Sequence, residues 1–227
     1  MRPAVQSPVF RLRRRAAALQ GVDALLDQIS YTTTTTQHFA FMRLETETSK
    51  PNVTIRRGKA ADAAMLAELG ARTFSETFAV DNSAEDMSAY LASAFSAAQQ
   101  SAELADPDSL FLIAETDGVA VGYAMLRSGT ALDNIHGGRP IEIVRLYVLQ
   151  EQLGSGVGAA LMQACLDEAN QLGYATLWLG VWEHNARAQA FYRKWNFREV
   201  GTHIFQLGND PQTDLLMQRA VSDQVRG

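Results

Sequence analysis

Between residues 153 and 159 the chain reads Leu153-Gly154-Ser155-Gly156-Val157-Gly158-Ala159, three alternating glycines between a strand pattern and an amphipathic helix pattern. Without Cβ atoms, glycines let backbone N–H groups approach a ligand and adopt positive φ. The first helical turn that follows has free N–H donors and the positive end of the helix dipole. Together these make an anion cradle suited to a pyrophosphate. The spacing does not fit the dinucleotide pattern G-x-G-x-x-G, and no Lys-Ser or Lys-Thr follows as in a nucleotide-hydrolase loop. The cradle therefore lacks a triphosphate lysine and a magnesium ligand. A single cysteine, Cys165, excludes an intrachain disulfide framework and a Cys-rich zinc site, and four scattered histidines argue against a metal centre, so no metal is expected. Cys165 falls on an apolar helix stripe and reads as core. His184 and His203 read as isolated surface or cleft side chains.

The elements that must hold this loop can be read from Thr54 onward. Thr54–Arg57 reads as a short first strand. Asp62 caps a helix striped by Met65, Leu66, Leu69, Thr73 and Phe74. A second helix starts at Ser83, with Asp86 near the capping-box position and Met87, Tyr90, Leu91, Ala94 and Phe95 as its apolar face. Strands Leu110–Thr116 and Val119–Arg127 flank Asp117-Gly118, a two-residue hairpin turn. Ile141–Val148 is the strand before the glycine loop. Val157, Ala160, Leu161, Ala164 and Cys165 stripe the helix after it, which Gly173 ends. Thr176–Val181 is a strand, Ala186–Lys194 a helix, and Phe197–Leu207 with Thr213–Met217 a final strand pair. Trp178 and Trp182 alternate with apolar neighbours, as in a strand packed on both faces. The order β-α-α-β-β-β-α-β-α-β-β predicts one mixed α/β (α+β) domain over residues 51–220, followed by a tail at 221–227.

Charge separates that domain from what precedes it. Residues 1–50 hold 7 Lys/Arg against 4 acids, a net of +3, whereas residues 51–227 hold 13 against 21, a net of −8. An acidic domain repels nucleic-acid phosphate and favours cationic partners. The Arg11–Arg15 run and the five threonines Thr32–Thr36 have no link to core periodicity. Residues 1–50 are accordingly read as a disordered extension, or as sequence upstream of a true start at Met42. No apolar h-region follows the arginines, and no run approaches the roughly 20 apolar residues that span a bilayer, so a cytoplasmic protein without membrane contact is expected.

The strand Glu142-Ile143-Val144-Arg145-Leu146-Tyr147-Val148, the Gly154–Ala159 loop and Asn185-Ala186-Arg187-Ala188-Gln189-Ala190-Phe191-Tyr192 resemble the motifs of the GNAT acyl-CoA N-acyltransferases. Residues Thr73-Phe74 through Thr77-Phe78, Leu177–Glu183, Gly201-Thr202-His203 and Gln212–Leu215 look like the PaiA-like branch, the polyamine acetyltransferases. The resemblance covers about residues 53–219. It departs at Leu153, where the family usually carries Gln or Arg, and at Asn196, which replaces a Gly after the last helix. A backbone-built cradle survives the first change, and Asn tolerates left-handed geometry at the second.

The resemblance implies a central sheet, splayed between Leu146–Val148 and Thr176–Val181, with flanking helices. It also implies acetyl-CoA as acyl donor. Leu146, Tyr147 and Val148, the loop Gly154, Ser155, Gly156, Val157, Gly158 and Ala159, and Asn185 would bind it. Unpaired strand edges can accept an extended ligand as a pseudo-strand, and an amide near Tyr147 or Val148 would stabilise the thioester oxyanion. Tyr192 stands at the family's acid position, with Phe191 expected inward and Tyr192 toward the cleft. A primary amine is roughly 0.04% neutral at pH 7, so a base is needed. Glu142 and Glu183, both near the splay, could each take the amine proton through water; an arginine pair is the equal alternative for Glu142, and Glu183 is read mainly as a helix N-terminal acid. Arg145 reads equally as phosphate support or strand-surface ion pair. Phe74, Glu76 and Phe78, with Asp81, Glu85 and Asp86 nearby, offer aromatics beside carboxylates for a cation with an aliphatic stem, an ordinary solvated helix face being the equal alternative; Glu183 would complete the acceptor side. These residues suit transfer of acetyl to a small primary amine, a polyamine such as spermidine included, by a monomer or homodimer. The alternatives are a protein or peptide N-terminal or lysine acetyltransferase, and a non-catalytic acetyl-CoA-binding regulator.

Overall fold

The computed structural model describes residues 52–222. The expected extension at 1–50 and residues 223–227 of the expected tail lie outside the described residues. Among the described residues seven strands form one sheet: β1 (Val53–Arg57), β2 (Ser109–Thr116), β3 (Val119–Ser128), β4 (Pro140–Val148), β5 (Thr176–Trp182), β6 (Arg198–Leu207) and β7 (Asp210–Ala220). Their spatial order is β1-β2-β3-β4-β5-β7-β6. Every pairing is antiparallel except β4 with β5. The β2–β3 turn is built as its sequence predicts, with Asp117 and Gly118 both at positive φ.

Five α-helices among the described residues cover the sheet: α1 (Ala63–Phe78), α2 (Ala84–Ala94), α3 (Ala97–Ala105), α4 (Val157–Gln171) and α5 (Ala186–Lys194). Adjacent residues of β4 show how the layers are divided. Tyr147 meets the rings of Phe74 on α1 and Tyr123 on β3, whereas Val148 points the other way, toward Gly158 of α4. Strand side chains alternate between faces, so α1 and α4 lie on opposite sides of the sheet. The main core, with Leu161, Met162, Cys165, Ile113, Met125 and Leu179 fully buried, is sealed by α4. A second cluster of Phe74, Met87, Phe95 and Leu207 joins α1 and α2 to β6. No helix among the described residues is long and apolar enough to cross a membrane.

Helix α3 is the element that sequence periodicity misses. Its buried positions are Gln100 and Glu103, not an apolar stripe. Gln100 Nε2 donates to the Ala94 carbonyl at 2.8 Å, and Glu103 receives Arg145 of β4 at 2.6 and 3.0 Å. The Ser96 hydroxyl caps the helix by accepting from Gln99 N at 3.1 Å. The expected role of Asp62 also changes. Its carboxylate does not cap α1. It accepts from Lys59 N at 2.7 Å, holding the 3-10 turn Ala60–Asp62, and pairs with Arg56 at 2.8 and 2.9 Å. Ser83 does cap α2, accepting from Asp86 N, and Gly173 ends α4 at φ +74.

Candidate active site

The parallel pairing of β4 and β5 stops early. It runs only through Pro140↔Thr176, Ile141↔Leu177 and Glu142↔Trp178. Beyond that point β4 stays with β3 as far as Gly122↔Val148, and β5 stays with β7 as far as Trp182↔Asp214. On β3, Met125 faces Arg145 and Leu126 faces Ile143, so Val144 is the extra residue of a bulge. A bulge bends its strand and raises the local twist, and here it lies where the two strands part. The gap holds a cavity of about 730 Å³, within the usual range for small-molecule sites. Among the described residues the edge Ile143–Val148 has no strand partner on its β5 side, which is the splay that the resemblance implies.

The glycine loop closes one end of the gap. Gly154 and Gly156 stand at φ +87 and +102, and a Cβ on either would meet nothing within 4 Å. The glycines are therefore needed for backbone conformation, and the space over them is open. No side chain caps α4 at Gly156, so its first-turn N–H groups remain as donors. Gly154, Gly156, Gly158 and Ala159 line the cavity, together with Leu146, Tyr147 and Val148. Two expected members of the cradle do not present side chains to it. Ser155 Oγ turns back to the Gln152 carbonyl at 2.7 Å, and the Val157 side chain is fully buried in the core. Asn185 lines the cavity while its Oδ1 caps α5 by accepting from Ala188 N at 3.0 Å. Its amide nitrogen is left over as a donor. Leu153 sits exposed on the rim, and Asn196 takes φ +64, as its replacement of glycine requires.

Tyr192 lines the cavity but is the more buried of its pair, 8% exposed, while Phe191 is only partly buried. The expected division of inward Phe191 and cleft-facing Tyr192 is thus reversed in degree, because Phe191 lies over Gly158 at the loop. Burial pushes the Tyr192 phenol well above its ordinary value, keeping it protonated. Glu142 lines the cavity and accepts from Thr130 Oγ1 at 2.6 Å. Its pKa is raised, burial outweighing that hydrogen bond. Cys165 is fully buried and its thiol pushed up, as a core residue should be. Arg145 is settled as a buried pair with Glu103, with its guanidinium over the Phe95 ring at 5.1 Å.

The acceptor side differs most from expectation. Phe74 and Phe78 line the cavity with centroids 4.5 Å apart. Glu76 lines it as well, but its carboxylate is occupied by Arg72 Nε at 2.8 Å and by Gln150 N at 2.9 Å, tying α1 to the loop after β4. Asp86 is drawn to Ser83 Oγ and Asn209 N. Asp81 and Glu85 are exposed outside the cavity. Glu183 is not in the cavity wall. Gln189 Nε2 holds the carbonyls of Trp182 and Glu183 as the chain turns into α5, and the Glu183 side chain is left 42% exposed beside His184. The other two carboxylates that line the cavity, Glu142 and Asp214, rise from strands. Asp214, His203, Tyr90 and Trp182 were missed as site residues. Spacing held the available signal: His203 and Phe205, like Gln212 and Asp214, are two apart and share a strand face. Arg187, exposed on the first turn of α5, adds a cation to the wall. Among the described residues no group of His, Cys, Asp and Glu could hold a metal.

Residues 71–197 match the model of the Acetyltransferase (GNAT) family. The chain is similar to an uncharacterized N-acetyltransferase of Mycobacterium tuberculosis, 37% identical over 158 residues, which are 70% of this chain and 97% of the relative. It is similar as well to an uncharacterized N-acetyltransferase of Lactobacillus delbrueckii subsp. lactis, 34% identical over 149 residues, 66% of this chain and 86% of that one. Among solved structures it superposes on the PaiA N-acetyltransferase of Thermoplasma acidophilum in complex with coenzyme A. The TM-score is 0.59 at 21% identity, over 74% of this chain and 99% of that one, a likeness in fold.

Proposed function

The chain belongs to the GNAT acetyltransferase family, and from that premise we propose that it moves acetyl from acetyl-CoA directly to a primary amine of a small molecule, a polyamine such as spermidine being the type. The observation that carries this reading is the combination of an uncapped helix start over open glycines with an unpaired β4 edge leading away from it. The residues fit the coenzyme: main-chain donors at 157–159 and the Arg187 guanidinium suit its phosphates, and the Ile143–Val148 edge suits an extended amide chain. When bound, the thioester supplies an acyl group already activated toward amines. Leu149 N donates to Val121 O on β3, so by alternation the Val148 amide faces the open edge and would stabilise negative charge on the thioester carbonyl oxygen.

Glu142 takes the proton that the amine must lose. A carboxylate whose pKa is raised by burial is a stronger base than an ordinary one. Tyr192, held protonated by burial, returns a proton to the departing sulfur. The aromatic wall of Phe74 and Phe78 takes the aliphatic stem of the acceptor. The test is thiol release from acetyl-CoA across a panel of amines and peptides. Turnover with spermidine or another small amine is expected. Turnover confined to peptides would replace the acceptor class, and binding of acetyl-CoA without transfer to any amine would replace the enzyme by a regulator.

A further inference from the structure

His203 and Asp214 are direct cross-strand partners on β6 and β7. A Cβ at Gly180 of β5 would stand 3.0 Å from His203 Cε1 and 3.1 Å from Asp214 Oδ2, so both side chains lean over that glycine. Both line the cavity. His203 Nδ1 is buried with no hydrogen-bond partner among the described residues. Asp214 has neither hydrogen bond nor ion pair among the described residues, and burial alone acts on its carboxyl. The buried Arg145 of neighbouring β4 is committed to Glu103.

An arc of rings runs from one of these groups to the other. Trp182 is the strand partner of Asp214. From Trp182 the centroids step to Phe78 at 5.9 Å, Phe74 at 4.5 Å, Tyr90 at 4.6 Å and Phe205 at 5.5 Å. Phe205 stands two residues from His203, on the same strand face. A half-buried carboxylate without a cation is costly, and a ligand that brings one offsets that cost. Aromatic faces attract cations and accept alkyl stems.

We propose that this arc seats an ammonium group of the acceptor, with Asp214 as its countercharge and His203 Nδ1 as a hydrogen-bond acceptor. The proposal rests on the small-amine reading and narrows it. An ammonium held against a carboxylate keeps its proton, whereas the attacking nitrogen must be neutral. The seated nitrogen is therefore a second one, and the acceptor class is an alkyl diamine or longer polyamine.

Two measurements test the seat. In calorimetry with the coenzyme-free protein, butylammonium is expected to bind and 1-butanol is not, and Asp214→Asn should weaken butylammonium at least tenfold. In thiol-release kinetics, the preference in kcat/KM for 1,4-diaminobutane over 1-aminobutane should fall at least tenfold in the same variant. His203→Gln should reduce the preference in the same direction. Folding of each variant is checked by an undiminished rise in Tm on adding coenzyme A. Equal binding of butylammonium by wild type and Asp214→Asn, or an unchanged diamine preference, would overturn the seat and leave the acetyltransferase reading intact. If no amine releases thiol, that reading fails, and the calorimetric result alone decides the seat.

Discussion

Glu103 and Arg145 join the helix that periodicity misses to the strand that borders the cleft. Their side chains are 6% and 8% exposed, and the two contacts measure 2.6 and 3.0 Å. Replacing Glu103 by Met strands a buried guanidinium against the Phe95 ring and Met125 Sδ. Breaking a buried pair from one side costs about 3–5 kcal/mol. For a domain of this size each kcal/mol lowers Tm by about 2–4 °C, giving a fall of roughly 6–20 °C. Arg145→Met should cost less, because Glu103 keeps Arg127 at 3.6 Å. The double Met variant should recover most of the loss, since apolar replacement of both partners is often neutral. Thermal and urea unfolding of the four proteins complete the cycle. A loss under about 1 kcal/mol for Glu103→Met, or a double variant as unstable as the two single losses added together, would refute the argument that this pair is buried and mutually dependent.

Tyr192→Phe should lower turnover at least tenfold while Tm stays near wild type, as read by thiol release and a melting curve; a wild-type rate would remove the phenol from the mechanism. Glu142 must be ionised to act as base, so kcat/KM should fall on the acid side with a midpoint above the usual carboxylate value of 4.5. Glu142→Gln should lower turnover at least tenfold and flatten that limb, whereas an identical pH profile would assign the proton to another group. Burial raises the Asp214 carboxyl to about 6 from 3.8. A raised carboxyl contributes stability below its unfolded value, and that contribution is lost as pH rises through 6. Asp214→Asn should therefore be roughly 2–3 kcal/mol more stable than wild type at pH 8, with the difference shrinking toward pH 4. Urea unfolding at both values checks this, and a wild type favoured at pH 8 would contradict it.

Local rules made much of the fold legible. The Asp117-Gly118 turn, the Ser83 cap, the α4 stripe with its glycine stop, and Asn185 before α5 each express a preference confined to a few neighbouring residues. Helix α3 was not legible because its inward face is polar, and its burial is repaid by Arg145, 42 residues further on. The glycine loop reads in sequence as a backbone cradle, but sequence could not tell that Ser155 would turn back to Gln152 or that Val157 would enter the core. The helix acids near Phe78 promised a cationic site and are engaged elsewhere or exposed. Two carboxylates of the cavity, Glu142 and Asp214, lie on β4 and β7, whose approach is set by sheet order and by the Val144 bulge. That information is long-range, and no window of sequence contains it.

Backbone amide exchange at Val157, Gly158 and Ala159, followed with and without saturating coenzyme A, tests the phosphate cradle most directly. Protection of these three amides by tenfold or more, beyond any change elsewhere in α4, is the expected result. Exchange that is unaltered there while the coenzyme is demonstrably bound would place its diphosphate somewhere else and contradict the account.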